Sequence, residues 1–467
     1  MGTRRIHATS ARSRRIAARR GALGLASLAA AALLAACATY SERTQAARSA
    51  IGAREYEAAL AQLNAALGVE SADELPSDWK ADAPLALLER ATLLQAMGDF
   101  GRSARDFEVA DRELEVLDIA ADVGGQIARY VYSESAAKYK TTPTEKLALN
   151  ALNLLNYLAR GDLRGAAVEA RRFTVMRQYL VEYDPDHAHG AFGSYLAGFV
   201  FEHLNEPDRA LRYYEEALGA GPLATLREPV ARIAPLAPYR GPHLDRLLGE
   251  APATPESLRD RSRRAEILTV VSLGRVPLRV PQRIPAGAAV GLAGTYVTGD
   301  PRWLGYGALK VVSYPELAPS GSLLRGAALR VDGRAAPLEL ASDLGREVRR
   351  EYEAVKPRIL GAAVSRLIAR AALAEGARQA GKEAGDAGEA VGWIAALLTE
   401  GTLLAMDRPD TRSWTLLPES VLVSRTSVAP GRHRVEVELE GAGGESRSFE
   451  VEVPAGGFAA IVWTAPR

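Results

Sequence analysis

Residues 191–224 read AFGSYLAGFVFEHLNEPDRALRYYEEALGAGPLA. Apolar and small residues recur there at helical spacing, and the pattern describes two antiparallel helices rather than strands. The small residues Gly198 and Ala210 allow two helix backbones to approach closely, while Phe201 and Tyr214 fill the wedge between them. Pro222, which cannot continue a helix, is expected to end the second one.

Gly198, Phe201, Ala210, Tyr214, Ala217 and Pro222 follow one another at intervals of 3, 9, 4, 3 and 5. This resembles the tetratricopeptide repeat pattern. A second unit runs through Leu88, Ala91 and Leu94, turns at Gly98-Asp99-Phe100, and continues with Ser103, Phe107 and Ala110. Weaker units carry Arg54-Glu55-Tyr56 with Ala59, Leu63 and Ala66, and Gly161-Asp162-Leu163 with Ala166, Ala170 and Phe173. Their small packing residues, Ala59, Ser103, Ala166 and Ala210, stand 44, 63 and 44 positions apart. The spacing is uneven, so the units are degenerate repeats with long connections. The resemblance implies that the first helix of each hairpin lines a concave face. Glu89, Ser194 and His203 are then expected on that face, open to a protein partner.

Upstream, seven arginines between Arg4 and Arg20 precede the uncharged, small-residue stretch Gly21–Ala36. That is the layout of a secretory signal, and the stretch is shorter than the ~20 apolar residues that span a bilayer comfortably. Leu34-Ala35-Ala36-Cys37 resembles the lipobox of bacterial lipoproteins. The resemblance implies cleavage before Cys37 and lipid on its thiol. Ala38 stands where an aspartate is the usual signal for inner-membrane retention, so the outer membrane is the expected address. Ser13-Arg14-Arg15-Ile16 resembles a twin-arginine export signal, but the bulky residues that should follow are missing. Cys37 is the single cysteine, so a lipidated chain would have no disulfide and no thiolate metal site.

The chain has 58 basic and 57 acidic residues, and removal of residues 1–36 takes seven arginines and no acid, leaving a net charge of −6. Nucleic acid is therefore not an expected partner. The remaining 431 residues suffice for two or three domains. We read residues 37–250 as the helical repeat domain. Gly241-Pro242 and the Pro-rich 251–255 end its pattern. A β domain opens in 251–340, with strands expected at Glu266–Gly274, Leu309–Tyr314 and Ala328–Val331, and with Pro277, Pro281 and Pro285 marking edge or loop backbone.

Residues 341–405 revert to helix, divided at Lys356-Pro357. After that division Leu360, Val364, Leu367, Ala371 and Ala374 share one face, with Arg366 and Arg370 beside them. The apolar run Ala390–Leu398, with Trp393, reads as core. Residues 406–467 alternate as short antiparallel strands, with Gly441–Gly444 as a hairpin turn. The expected fold is thus α+β, with helical repeats followed by a β-sandwich-like domain carrying a helical insertion.

Glu266–Pro277, the Arg366–Arg370 helix, the run Asp410-Thr411-Arg412-Ser413-Trp414-Thr415-Leu416-Leu417-Pro418 and Ala429–His433 resemble a group of bacterial lipoproteins. That group joins a tetratricopeptide-like front half to an α+β back half. The resemblance implies architecture and no catalytic residue.

The chain carries no Walker loop, no H-E-x-x-H and no G-x-S-x-G. His187 and His189 follow Asp184 and Asp186 in what reads as a polar turn, and His433 sits at a turn entering a strand. On a loop His187 and His189 could hold a weakly bound metal, but the polar turn is the expected reading, so no cofactor or metal is expected. Asp410, Arg412 and Trp414 form the most distinctive polar-aromatic cluster. Exposed, they would be a recognition site; buried, a Trp anchor with an acid–base pair beside it. The expected function is a non-catalytic, membrane-tethered scaffold. The alternative is a surface hydrolase or glycan-binding protein using the cleft between the halves.

Overall fold

The computed structural model describes residues 40–79, 82–116, 139–183, 190–249, 265–300, 302, 311–319, 321–383 and 409–467. The helical part contains α1 (Tyr40–Arg43), α2 (Gln45–Gly52), α3 (Tyr56–Leu67), α4 (Ala83–Ala96), α5 (Phe100–Glu113), α6 (Pro143–Ala159), α7 (Leu163–Tyr183), α8 (Ala191–His203), α9 (Pro207–Leu218), α10 (Arg227–Ile233) and α11 (Pro242–Gly249). A short parallel pair, β1 (Glu115–Val116) and β2 (Lys140–Thr141), sits between α5 and α6.

Four antiparallel hairpins pair α2 with α3, α4 with α5, α6 with α7 and α8 with α9. Their turns share one hydrogen-bond scheme. The residue closing the first helix takes positive φ at Arg54 (67°), Gly98 (83°), Gly161 (70°) and Asn205 (61°). The next N–H, of Glu55, Asp99, Asp162 or Glu206, then donates back five residues to the carbonyl of Ala50, Leu94, Tyr157 or Phe201, at 2.8–2.9 Å. This is the Schellman geometry, and two of the four positions use glycine, which takes left-handed φ at no steric cost. Asp99 and Asp162 then cap the second helices by accepting from the Arg102 and Gly165 N–H groups.

Ala59, Ser103, Ala166 and Ala210 are each fully buried where the paired helices touch. A Cβ at Gly198 would collide with the Tyr214 ring, so the glycine makes room for that aromatic. Phe201, Ala210, Tyr214 and Ala217 are buried as expected. Pro222 does not end its helix, because α9 stops at Leu218, before Gly219-Ala220-Gly221.

The first helices of the second and fourth hairpins are buried nearly all round. Every residue of α4 is buried, and in α8 every residue from Ala191 to Phe201. A helix of that kind must be covered on both sides. One cover is its hairpin partner; the other is the back half of the chain.

That back half contains β3 (Ala265–Leu273), β4 (Leu278–Pro285), α12 (Ala286–Ala293), β5 (Val311–Ala318), β6 (Leu324–Val331), β7 (Arg334–Ala336), β8 (Glu339–Asp343), α13 (Leu344–Glu383), β9 (Ser420–Val428), β10 (Gly431–Gly441), β11 (Ser446–Val453) and β12 (Phe458–Ala465). One sheet has the order β12-β3-β9-β8 and the other β11-β10-β6-β7. Ile267, Val271, Leu273, Ile461 and Trp463 of the first sheet pack on Leu329, Val331, Val435, Val437 and Val453 of the second. On the opposite face Leu268, Val270, Val421, Val423 and Val462 join the core of the helical array. The period of two along each strand thus sorts side chains between two cores. It also explains why β3 is buried at all nine positions.

Three expectations for the back half change. The C-terminal strands are not all antiparallel, since β12 runs parallel to β3. Lys356-Pro357 does not divide the helix, because α13 runs through Pro357. The lost hydrogen bond is outweighed by Tyr352, Val355, Ile359 and Leu360, which enter one core on either side of it. The insertion does not simply cap the sandwich either. It builds a third core with α12 and the β4-β5 ribbon, where Ala286, Ala289, Val312 and Tyr314 meet Val364 and Leu367. Leu360, Val364, Leu367, Ala371 and Ala374 are all buried as expected, and so is Arg370.

Candidate functional site

Two polar clusters lie where the helical array meets the back half. The first surrounds residues 410–417, which run along α4 and α6. Trp414 is fully buried, its indole N–H donating to Thr92 Oγ1 at 3.0 Å and its ring lying edge-on to Phe107 at 5.7 Å. The backbone of the segment is held by carboxylates of the array. Glu145 accepts from the Trp414 N–H at 3.0 Å, while Glu89 accepts from the Thr415 N–H at 2.7 Å and the Leu416 N–H at 2.8 Å. The Thr415 hydroxyl also donates to Glu89, at 2.7 Å. Burial pushes the Glu89 carboxyl up to about 7, against the pull of these donors and of Arg48.

Upstream, Arg412 forks onto Asp410, with Nε at 2.8 Å and Nη2 at 2.7 Å, and reaches Asp82 at 3.2 Å. The Asp410, Arg412 and Trp414 cluster is therefore a clasp. Its tryptophan anchors the segment to the helical array, with the acid–base pair beside it.

Glu89 and Ser194 do not line an open groove. Both are fully buried, Ser194 donating to Glu216 at 3.0 Å. The chain's own back half covers Glu89 through Thr415 and Leu416, whereas Ser194 is held by Glu216 of its own hairpin partner α9.

The second cluster lies at the end of α8, where His203 faces Glu266 of the back half. Its Nε2 sits 2.6 Å from Glu266 Oε1, and its ring packs between Phe199 and Phe458 at 4.5 and 4.7 Å. Arg425, buried at the centre, donates two hydrogen bonds to Glu266 at 2.9 and 2.8 Å, one to Glu202 at 3.0 Å and one to the Tyr214 hydroxyl at 2.8 Å. Arg232 pairs with Glu202 from α10. Burial pushes the carboxyls of Glu202 and Glu266 up, but Arg425 and the other cations outweigh it and hold both below the ordinary range. No signal in the sequence joins these residues, which come from α8, α9, α10, β3 and β9 and meet only through tertiary packing.

A cleft of about 200 Å³ opens beside this cluster, lined by His203, Asn205, Arg232, Glu266, Ser427 and Gly457. Glu266 and Ser427 are cross-strand partners, so a serine, a histidine and a glutamate share the cleft. The Ser427 hydroxyl donates to Glu228, at 3.2 and 3.3 Å, while His203 is engaged with Glu266. The serine is thus bonded to Glu228 and not to the histidine.

His433 bonds Asp332 at 2.7 Å and the Ala429 carbonyl at 2.6 Å, a turn role. Among the described residues no three metal-ligating side chains gather, and no helix is long and apolar enough to cross a membrane. Cys37, Asp184, Asp186, His187, His189 and Ala390–Leu398 lie outside the described residues. No protein family, characterised protein or solved structure compared with this chain matches it.

Proposed function

We propose that this chain is a bacterial envelope lipoprotein, held at the outer membrane by lipid on Cys37, and that it acts as a non-catalytic scaffold built on tetratricopeptide-like hairpins. The observation that carries the reading is the filled inner face. Of four hairpins with a common turn geometry, the second and third are clasped by residues 410–417, whose backbone N–H groups are taken up by Glu89 and Glu145. Such a body presents surfaces rather than a reaction centre.

The partner then docks outside the array. The strongest candidate surface is α7, where Val168, Val175 and Tyr179 fall on one helical stripe and are 45%, 68% and 39% exposed. Arg171 and Arg172, exposed between them, add charged anchors. The test is co-purification from crosslinked envelopes. Val175→Asp with Val168→Asp should lose the partner while keeping the wild-type thermal midpoint. Retention of the partner by that variant, or a hydrolytic activity abolished by His203→Ala, would reject the scaffold reading.

A further inference from the structure

Only Ala38 and Thr39 separate Cys37 from Tyr40, and Tyr40 is already part of the core, 5% exposed. Thr44, Ala47 and Ile51 follow it into the interior at helical spacing. The three peptide steps from Cys37 to Tyr40 reach at most about 11 Å even when fully extended. A lipid on Cys37 would therefore leave the folded body almost no slack. Two residues between the lipid and the folded body would be too short a stalk to let it roam above a bilayer.

We propose that the α1–α3 end of the array rests directly on the membrane surface, so that the stack of hairpins projects away from it. The inference rests on the lipoprotein reading and names the surface that meets the lipid. Around this end Glu42, Arg43, Gln45, Ala46 and Ser49 are exposed, and a cavity of about 460 Å³ there is lined in part by Tyr40, Arg43, Asp78 and Asp82. Both signs of charge are present, with Arg43 paired to Asp82. That surface suits neutral or zwitterionic headgroups and is no basic patch for anionic lipid. The contact is imposed by the short tether and does not depend on charge attraction. Successive hairpins stack in chain order, with α3 on α4, α5 on α6 and α7 on α8. At ordinary helix spacing α11 lies about 30 Å along the array from α2.

The experiment uses the full-length lipidated protein in vesicles of zwitterionic phospholipid containing a headgroup nitroxide quencher. Because the Cys37 thiol is taken by lipid, Gln45→Cys and Asp245→Cys each give a single site for an environment-sensitive fluorophore. Quenching at position 45 should be at least twofold stronger than at 245 and should persist in 0.5 M salt. It should fall toward the distal value when a 20-residue Gly/Ser linker, reaching about 25 Å, is inserted after Thr39. Equal quenching at the two sites, loss of the difference in salt, or indifference to the linker would overturn the proposal while leaving the lipoprotein reading standing. A chain that carries no lipid and does not float with the vesicles overturns both.

Discussion

Trp414 tests whether the two halves of this protein are one folding unit. The Trp414→Ala variant removes a fully buried indole from its site beside Phe107 and leaves a cavity that α4 and α5 can close only in part. Large-to-small changes of this kind cost about 3–5 kcal/mol, and the lost hydrogen bond to Thr92 adds about 1, for about 4–6 kcal/mol in all. Thr92 keeps a second use for its hydroxyl, donation to the Leu88 carbonyl at 2.9 Å, so no larger penalty arises from an orphaned group. Set against a typical stability of about 5–15 kcal/mol, this removes a large share of the total. Trp414→Phe, which keeps most of the bulk and drops the N–H, should cost only about 1–2 kcal/mol.

The assay is urea unfolding of residues 37–467 followed by helical circular dichroism and by amide-exchange protection of the sandwich strands β10 and β11. Since helices and strands share the core containing Leu85, Phe199, Val270 and Val423, both signals should shift together to lower urea. A Trp414→Ala variant with an unchanged midpoint, or with only the sandwich signal displaced, would refute the claim that residues 410–417 clasp the halves together.

Two further outcomes follow from the packing and the buried acids. Gly198→Leu drives a side chain into the Tyr214 ring and should lower stability by about 1–3 kcal/mol or more, whereas Gly221→Ala, which meets open space, should stay within about 0.5 kcal/mol in the same denaturation assay. Burial pushes Glu347 and Glu351 up to about 7 from an ordinary value of 4.5, so the folded state holds these protons more tightly than the unfolded one. Their stabilising contribution is complete below about pH 4.5 and is lost as pH rises through about 7, by about 1–3 kcal/mol per group. Thermal midpoints measured from pH 5 to 8 should fall, and the Glu347→Gln/Glu351→Gln variant should fall less; an equal slope would discard the buried-acid account.

Much of the local structure was legible because it is written in short-range pattern. The Gly-Asp turns at 98–99 and 161–162, the close-packing residues Ala59, Ser103, Ala166 and Ala210, and the apolar stripe from Leu360 to Ala374 each follow from helix geometry acting over a few residues. Alternation in β10 and the glycine turn after it are equally local. Pro357 and Pro222 show the limit of such reading. Proline's intrinsic cost is local, but whether a helix continues through it depends on what its flanking residues bury, and helices also stop without it.

By itself, the amino-acid sequence determined the helical hairpins and strands and the α+β order, because dihedral preference and side-chain period act within a few residues of their source. Only the tertiary structure decided which faces stay open. Glu89, Ser194 and His203 have the phase of groove residues, and they lose that role because other segments bring Thr415, 326 positions from Glu89, Glu216, 22 from Ser194, and Glu266, 63 from His203, onto them. The physical reason is that hydrophobic burial is non-directional: the leucines and alanines spread around α4 must be covered, but nothing in the helix's own residues states by what.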